Sequence, residues 1–353
     1  MRYIALDKNI LVTGGAGYIG SHTALALLEA GFRVIVLDNL SNSSRTSLKK
    51  IYEICGKKPV FIEGDIADTG IVNNIFTEHS ISAVFHFAGA KAVGESVIDP
   101  IKYYENNLAG SINLLKAMAA NSVFTFIFSS SATVYGMPTK MPISEDFPIG
   151  KPTNPYGRTK LMVEEVLRDL CSSDPRWSIA ILRYFNPIGA HKSGQIGESP
   201  QGVPNNLLPY ISKVAIGALP ELTVFGNDHP TADGTGIRDY IHVVDLAAGH
   251  LKALNTISKT VGVQSWNLGT GTGYSVLDII KAFEKISEKV IPFRYSNRRP
   301  GDISECWSDP SKAERELDWK AKLSLEDMIR DTWRWQVNYP DGYENNTPSQ
   351  LPE

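Results

Sequence analysis

Cysteine is scarce in this chain: three in 353 residues, at Cys55, Cys171 and Cys306. An odd number this widely spaced makes neither a disulfide framework nor a zinc pattern. No metal is therefore expected, and a reducing cytoplasm is the expected compartment. Long apolar runs are missing as well, and none approaches the roughly 18 residues of a membrane helix. Charge of one sign is also missing. With 35 Lys and Arg against 38 Asp and Glu, the net charge is −3, which gives no general affinity for nucleic acid or anionic membrane. Met1 to Asn9 lack the basic-then-apolar pattern of a secretory signal. What is there is an ordinary globular composition, 42% hydrophobic and 21% charged. The chain is long for one core, so two lobes are expected.

The first half alternates short β-branched runs with helical stretches. Strands are expected at Asn9 to Thr13, Arg33 to Leu37, Pro59 to Ile62, Ala83 to Phe87, Val123 to Ser129 and Ser178 to Arg183. Helices are expected at Tyr18 to Ala30, Ser44 to Cys55, Thr69 to His79, Tyr103 to Asn121 and Pro155 to Cys171. Such alternation implies a parallel sheet covered on both faces, an α/β doubly wound Rossmann fold. After Asn186 the pattern loosens into a Gly-, Pro- and Asn-rich loop, His191 to Pro209. A smaller mixed α/β C-terminal substrate lobe follows. The expected division is 1–187 for the first lobe and 188–353 for the second, with 237–265 packing back onto the first. The polar tail from Tyr339 is expected to be loosely held.

Thr13-Gly14-Gly15-Ala16-Gly17-Tyr18-Ile19-Gly20 joins the first strand to the first helix. Gly14, Gly17 and Gly20 are spaced so that the backbone can turn sharply and approach a pyrophosphate at a helix N-terminus. Asp38 ends the second strand, about 20 residues on, where a carboxylate accepts ribose hydroxyls and repels a 2′-phosphate. NAD is therefore expected over NADP. Asp65, after the third strand, and Phe87-Ala88-Gly89, after the fourth, are softer candidates for the same cofactor.

Tyr156 and Lys160 lie four apart on one helix face. A free phenol titrates near 10, and bringing it to neutrality takes roughly 4 kcal/mol of differential stabilisation. The Lys160 ammonium and a positive nicotinamide ring are expected to supply it. The preceding strand ends in Ser129-Ser130-Ser131-Ala132-Thr133. Ser131 or Thr133 could hydrogen-bond the substrate oxygen at the ligand crevice of such a sheet.

These residues resemble the extended short-chain dehydrogenase/reductase family, and within it the UDP-galactose 4-epimerases. The resemblance runs from Leu11 to about Tyr343. It is carried by Thr13 to His22, Leu37 to Asn39, Gly64 to Ile66, His86 to Ser96, Phe128 to Gly136, Pro155 to Lys160 and Arg183 to His191. Further on it rests on Pro200 to Pro209, Phe225 to Val243 and Arg298 to Trp307. The resemblance implies that Tyr156 takes the proton of the sugar 4-hydroxyl while hydride passes from C4 to NAD. The 4-keto sugar then turns over, and C4 is inverted when the hydride returns. It implies further cofactor contacts from Tyr18, Ile19, Asn39, Asn42, Ile66, Lys91, Asn106, Ser129 and Tyr184. For the UDP-sugar it implies Lys91, Tyr184, Phe185, Asn186, Asn205, Asn206, Leu207, Phe225 beside the uracil, and Tyr240. Arg238 and Arg299 match cations on the diphosphate, and Asp302 matches a carboxylate near the uridine ribose.

Cys306 stands where family members confined to unacetylated sugars often carry Tyr. A small side chain there leaves room for an acetamido group, so UDP-GalNAc and UDP-GlcNAc are expected substrates too. A sugar-nucleotide 4,6-dehydratase is the alternative, but its Asp-Glu pair would fall at Ala132-Thr133-Val134, which holds no carboxylate. A non-enzymatic NAD sensor tends to lose Tyr or Lys, and both are present. The resemblance also implies a homodimer, with Tyr103 to Met118 and Leu161 to Leu170 as its candidate seam.

Overall fold

Asn9–Thr13 (β1) is a five-residue run whose alternate side chains are both buried, Ile10 and Val12 on one face of the sheet and Leu11 on the other. A strand apolar on both faces belongs in the middle of a parallel sheet. The structure, a computed structural model, describes residues 8–202, 204, 206–299 and 301–343. In it β1 is flanked by Arg33–Asp38 (β2) and Ile81–His86 (β4), with Val60–Glu63 (β3) outside β2. Beyond β4 lie Thr125–Ser131 (β5) and Ser178–Tyr184 (β6). The order β3-β2-β1-β4-β5-β6 is that of a doubly wound dinucleotide fold. The connecting helices are Tyr18–Glu29 (α1), Arg45–Cys55 (α2), Thr69–Glu78 (α3), Val93–Ile98 (α4), Pro100–Tyr103 (α5), Gly110–Ala120 (α6) and Pro155–Ser173 (α7).

The sheet has a seventh strand. After Asn186–Ile188 (β7), Leu207–Ala215 (α8), Leu222–Phe225 (β8) and Ile237–His242 (β9), the chain returns through Val243–Ile257 (α9) to Gly262–Leu268 (β10). β10 pairs in parallel with β6 along seven residues, and α9 packs on α1. One face of the sheet is sealed by Leu27, Leu246, Leu254 and Trp266, the other by Leu114, Phe126, Val163 and Trp177. Each such side chain is stabilising by about 1.5–3 kcal/mol when fully buried.

The remaining elements are Gly273–Ser275 (β11), Val276–Ser287 (α10), Phe293–Ser296 (β12), Glu305–Cys306 (β13), Ser311–Leu317 (α11) and Leu325–Asn338 (α12). β9 is the hub of this second lobe, pairing with β7, β11 and β13, while β8 pairs with β12. A separate core of Ile211, Val224, Ile279, Phe283, Met328 and Ile329 lies beneath. α10 and α12 each start with a capping box, Ser275 with Asp278 and Ser324 with Asp327, which satisfies donors at their first turns.

Two expectations need correction. The stretch 103–121 is not one α-helix. Tyr104–Ala109 is a π-helical turn ahead of α6, which the apolar period alone does not distinguish. The tail is held as far as Tyr343: Tyr339 stacks on Trp335 at 4.3 Å, and Tyr343 meets the same indole edge-on at 4.8 Å. Residues 344–353 lie outside the described residues. No described helix is long and apolar enough to cross a membrane.

Candidate active site

The turn from β1 into α1 is built on close backbone approach. Gly14 has φ 69°, and a Cβ there would lie 2.6 Å from the Ala88 nitrogen. A Cβ on Gly20 would overlap the Gly14 carbonyl oxygen. Phe87 and Ala88 donate their N–H groups to the Thr13 carbonyl at 2.9 and 3.1 Å, which brings the end of β4 against the loop. Gly17 caps α1 without a side-chain bond, so the first-turn N–H groups are free to meet an anion. Asp38 is more occupied than a ribose ligand alone would be. Its carboxylate accepts from the Ala16 N–H at 2.9 Å, the Leu40 N–H at 2.9 Å and the Ser43 hydroxyl at 2.7 Å. A carboxylate has about four acceptor directions, so one is left for a ligand. The same group therefore shapes the Gly-rich loop.

Around it, Asn39 donates to Asp65 at 2.6 Å, Asn42 is exposed, and Ile19 is half-buried against the core. Ile66 is buried, and its carbonyl accepts from Asn113 at 2.6 Å. The Tyr18 hydroxyl crosses to the Gly189 carbonyl at 2.6 Å. Small side chains, a turn that excludes Cβ atoms and an uncapped helix start are what a dinucleotide requires, and these residues fit NAD.

The candidate reacting groups meet at the end of β5. Pro155 starts α7 at its first position, and Asn154 caps it through the Gly157 N–H at 2.9 Å. That sets Tyr156 and Lys160 one turn apart. The Lys160 ammonium donates to the Ser129 carbonyl at 2.7 Å and lies 5.0 Å from the centre of the Phe128 ring. Burial pulls it down to about 8. The Tyr156 phenol is pushed up by burial, and hydrogen bonding with Ser131 offsets this only in part. The expected lowering by two cations is thus not what the protein alone produces. Lys160 is engaged by the Ser129 carbonyl, 5.9 Å from the Tyr156 ring centre, and desolvation dominates. Ser131 and Thr133 also separate. The Thr133 hydroxyl donates to Ser131 at 3.0 Å, so Ser131 attends the phenol and Thr133 supports Ser131.

The π-helical turn contributes groups that the motifs do not reveal. Buried Asn107 accepts from the Ala90 N–H at 2.8 Å and donates to the Ala90 carbonyl and the Thr159 hydroxyl, each at 3.0 Å. Asn106 donates to Asn107 at 3.0 Å. A Cβ on Gly89 would lie 3.7 Å from the Lys160 nitrogen, which places Gly89 beside the Tyr156–Lys160 pair. Tyr184 is buried and its hydroxyl pairs with the His250 ring.

The substrate-lobe candidates are tied by ion pairs. Lys91 and Asn206 both bond one oxygen of Glu198, at 2.9 and 2.8 Å. Glu198 itself drew no notice in the sequence. Asn186 pairs with Tyr240 between β7 and β9, and Tyr240 is buried in the second core. Leu207 opens α8, and Asn205 lies outside the described residues. The Arg299 guanidinium sits 5.1 Å over the Phe225 ring. Arg238 and Arg299 converge on Asp302, the latter at 3.4 Å. Among the described residues no group of three or more His, Cys, Asp or Glu could hold a metal ion.

A family model described as GDP-mannose 4,6 dehydratase matches residues 11–332. The UDP-glucose 4-epimerase of Bacillus subtilis is 60% identical over 336 residues, 95% of this chain and 99% of the relative. The chain belongs to the UDP-glucose 4-epimerase family. A crystal structure from the same family, the Bifidobacterium longum enzyme in complex with NAD+ and UDP, is 52% identical with a TM-score of 0.93. The match covers 95% of this chain and 100% of that one. The UDP-Glc/GlcNAc 4-epimerase of Campylobacter jejuni is 38% identical with a TM-score of 0.81, covering 94% and 99%.

In this UDP-glucose 4-epimerase family member, Ala132–Tyr135 is a 3-10 turn without a carboxylate. Cys306 lies opposite Arg238 in the β13–β9 register. It is buried with Ala132, Val134, Tyr135, Ile143 and Phe185, so it abuts the residues that follow Ser131 and Tyr184. Burial pushes its thiol up to about 11, which keeps it neutral.

Proposed function

We propose that the chain interconverts UDP-galactose and UDP-glucose by inverting C4, with NAD on the first lobe. It also accepts UDP-GalNAc and UDP-GlcNAc, and it works as a homodimer. The NAD lobe is 1–187, with α9 and the start of β10 from the returning segment 237–265 packed onto it, and 188–353 is the UDP-sugar lobe, whose hub is β9. The observation that carries the reading is the grouping of Tyr156, Ser131 and Lys160 at the end of β5, with Gly89 from the end of β4 beside the ammonium.

Bound NAD supplies a reversible two-electron acceptor for the hydride of C4. The protein handles the proton. Tyr156, as phenolate, takes the 4-hydroxyl proton while Ser131 hydrogen-bonds the same oxygen. Lys160 favours the phenolate by charge, and the adjacent dry walls strengthen that effect. Once the keto sugar has turned, Tyr156 returns the proton to the oxygen on the inverted carbon. Phe225, Arg238 and Arg299 hold the uridine diphosphate while the sugar turns. Relatives of the chain are described with NAD+ and UDP, and one as acting on UDP-Glc/GlcNAc. The small Cys306 in its apolar niche leaves space at C2 for an acetamido group.

The homodimer reading rests on exposed apolar side chains. Leu114, Leu115 and Met118 of the expected seam are spent on the core. Val97, Ile98 and Ile101 of α4 and α5 are 63%, 86% and 63% exposed, and Met162 of the neighbouring α7 is 37% exposed. A contiguous patch of this kind marks an interface.

The test is turnover of UDP-galactose by purified protein without added NAD, repeated on UDP-GalNAc. Product from both supports the full reading. Product from UDP-galactose alone removes the acetamido part. Loss of water at C5–C6 in place of epimerisation would restore the dehydratase. Cys306→Tyr should abolish turnover of the acetylated pair and spare UDP-galactose; equal turnover of both would end the Cys306 account.

A further inference from the structure

Behind the catalytic pair runs an unbroken chain of buried polar groups. Glu164 lies on α7 one turn beyond Lys160, so it shares that helix face. It is fully buried, as are Arg183 and Asn267. Its carboxylate accepts from the Ser130 hydroxyl at 2.6 Å and from Arg183 at 3.0 and 2.7 Å. Arg183 also donates to the Tyr135 hydroxyl at 2.9 Å, and Tyr135 donates to the Asn267 side-chain oxygen at 2.7 Å. Burial pushes the Tyr135 phenol up to about 12, so it keeps the proton it donates. Asn267 in turn donates to the Ile143 carbonyl at 2.9 Å. Ile143 is laced to the segment after β13, its N–H to the Trp307 carbonyl at 2.9 Å and its carbonyl from the Asp309 N–H at 2.8 Å.

The two ends of this chain are the two things the reaction must align. Ser130 sits between Ser129, which receives Lys160, and Ser131, which attends Tyr156. Trp307 directly follows Cys306. A buried charge pair is weak support for stability as such, and its best-attested use is to fix register. Here the pair joins α7 to β6, the phenol of Tyr135 ties Arg183 to Asn267 on the adjoining β10, and the Asn267 amide so oriented holds Ile143, whose backbone bonds reach the segment after β13.

We propose that Tyr135 is a positioning residue whose hydroxyl, linking Arg183 to Asn267, holds the Cys306 strand in register with Tyr156 and Lys160. This rests on the epimerase reading for its catalytic consequence. Of the proposed uridine diphosphate contacts, Phe225 and Arg299 lie outside β13, and Arg238, though opposite Cys306, is held by the pairing of β9 with β7 and β11. Loss of the link should therefore harm the sugar step and leave UDP binding intact.

The test is Tyr135→Phe in the full chain, read by kcat for UDP-galactose, by the Kd of UDP from calorimetry and by amide hydrogen exchange at 305–309. A buried partner left unsatisfied should lower kcat by about tenfold, equivalent to about 1.4 kcal/mol. UDP affinity should stay within about twofold. Exchange at 305–309 should quicken while that of β8 does not. An unchanged kcat, unchanged exchange at 305–309, or a fall in UDP affinity matching the fall in kcat would each overturn the proposal. If Tyr135→Phe fails to fold, Asn267→Ser, which breaks the next link, is read in the same way. A wild-type protein without turnover would defeat the epimerase reading. Exchange and UDP affinity would then decide the relay without it.

Discussion

The two halves of the cleft are held by different forces. On the sheet side, the Gly-rich loop is fixed by backbone contacts that exclude a Cβ, and Lys160 by a carbonyl in a dry site. On the other side, Asn206, Arg238 and Arg299 are held by carboxylates, Glu198 and Asp302, and Glu198 also pairs with Lys91 of the first lobe. Backbone contacts and buried groups resist change. Partly exposed ion pairs are worth little and exchange readily. The sheet side is thus a rigid anvil for chemistry, and the second lobe offers cations that a diphosphate can take over from their carboxylates.

If that contrast is right, the largest effect lies on the sheet side. Tyr156→Phe should lower kcat by about 10²–10⁴ with little change in KM, the range for a lost acid–base group. A KM change of the same size would mean that Tyr156 also binds. Next comes Glu164→Ala, which strands a buried Arg183 and should cost about 3–5 kcal/mol in denaturant unfolding. A loss below about 1 kcal/mol, the range of an exposed pair, would erase the distinction.

A pH profile sharpens the comparison further. Lys160 titrates at about 8, below its usual range, so the ammonium is present below that value and lost above it. The log of kcat/KM should fall above about pH 8, and Lys160→Met should remove that limb; a flat profile to pH 9.5 would sever Lys160 from the phenol. The smallest effect belongs to the second lobe. Phe225→Leu removes a cation–π contact worth about 0.5–1 kcal/mol at an exposed site, so KM should rise about two- to fivefold with kcat unchanged. A fall in kcat instead would place Phe225 in the chemistry.

Sequence reading reached the parts whose signal is local. Gly14, Gly17 and Gly20 announce the loop by spacing, Tyr156 and Lys160 the pair by helical period, and six strands of the first sheet by alternation. What escaped it depends on distant partners. The segment 237–265 is expected to pack back onto the first lobe, but the sequence assigns no strand at 262–268, whose pairing with β6 has no local mark. Glu198 and Asn267 carry no motif, and Tyr135 shows no role within the stretch Phe128 to Gly136, because their partners include groups tens to more than a hundred residues away. The π-helical turn at 104–109 was hidden for a different reason: a single wide turn is too short for the apolar period to register, and Asn107 on it meets Ala90 and Thr159. The upward push of burial on the Tyr156 phenol escaped it too, since desolvation has no sequence signature.

The seventh strand also sets a timetable for the chain's own making. β6 carries Ile179, Ile181 and Leu182, all fully buried, and its outer edge is covered only when residues 262–268 arrive. At the usual 5–20 residues per second of synthesis, roughly 4–17 s pass between the emergence of β6 and its partner. During that interval a bare apolar edge stands open to pairing with a neighbouring nascent chain.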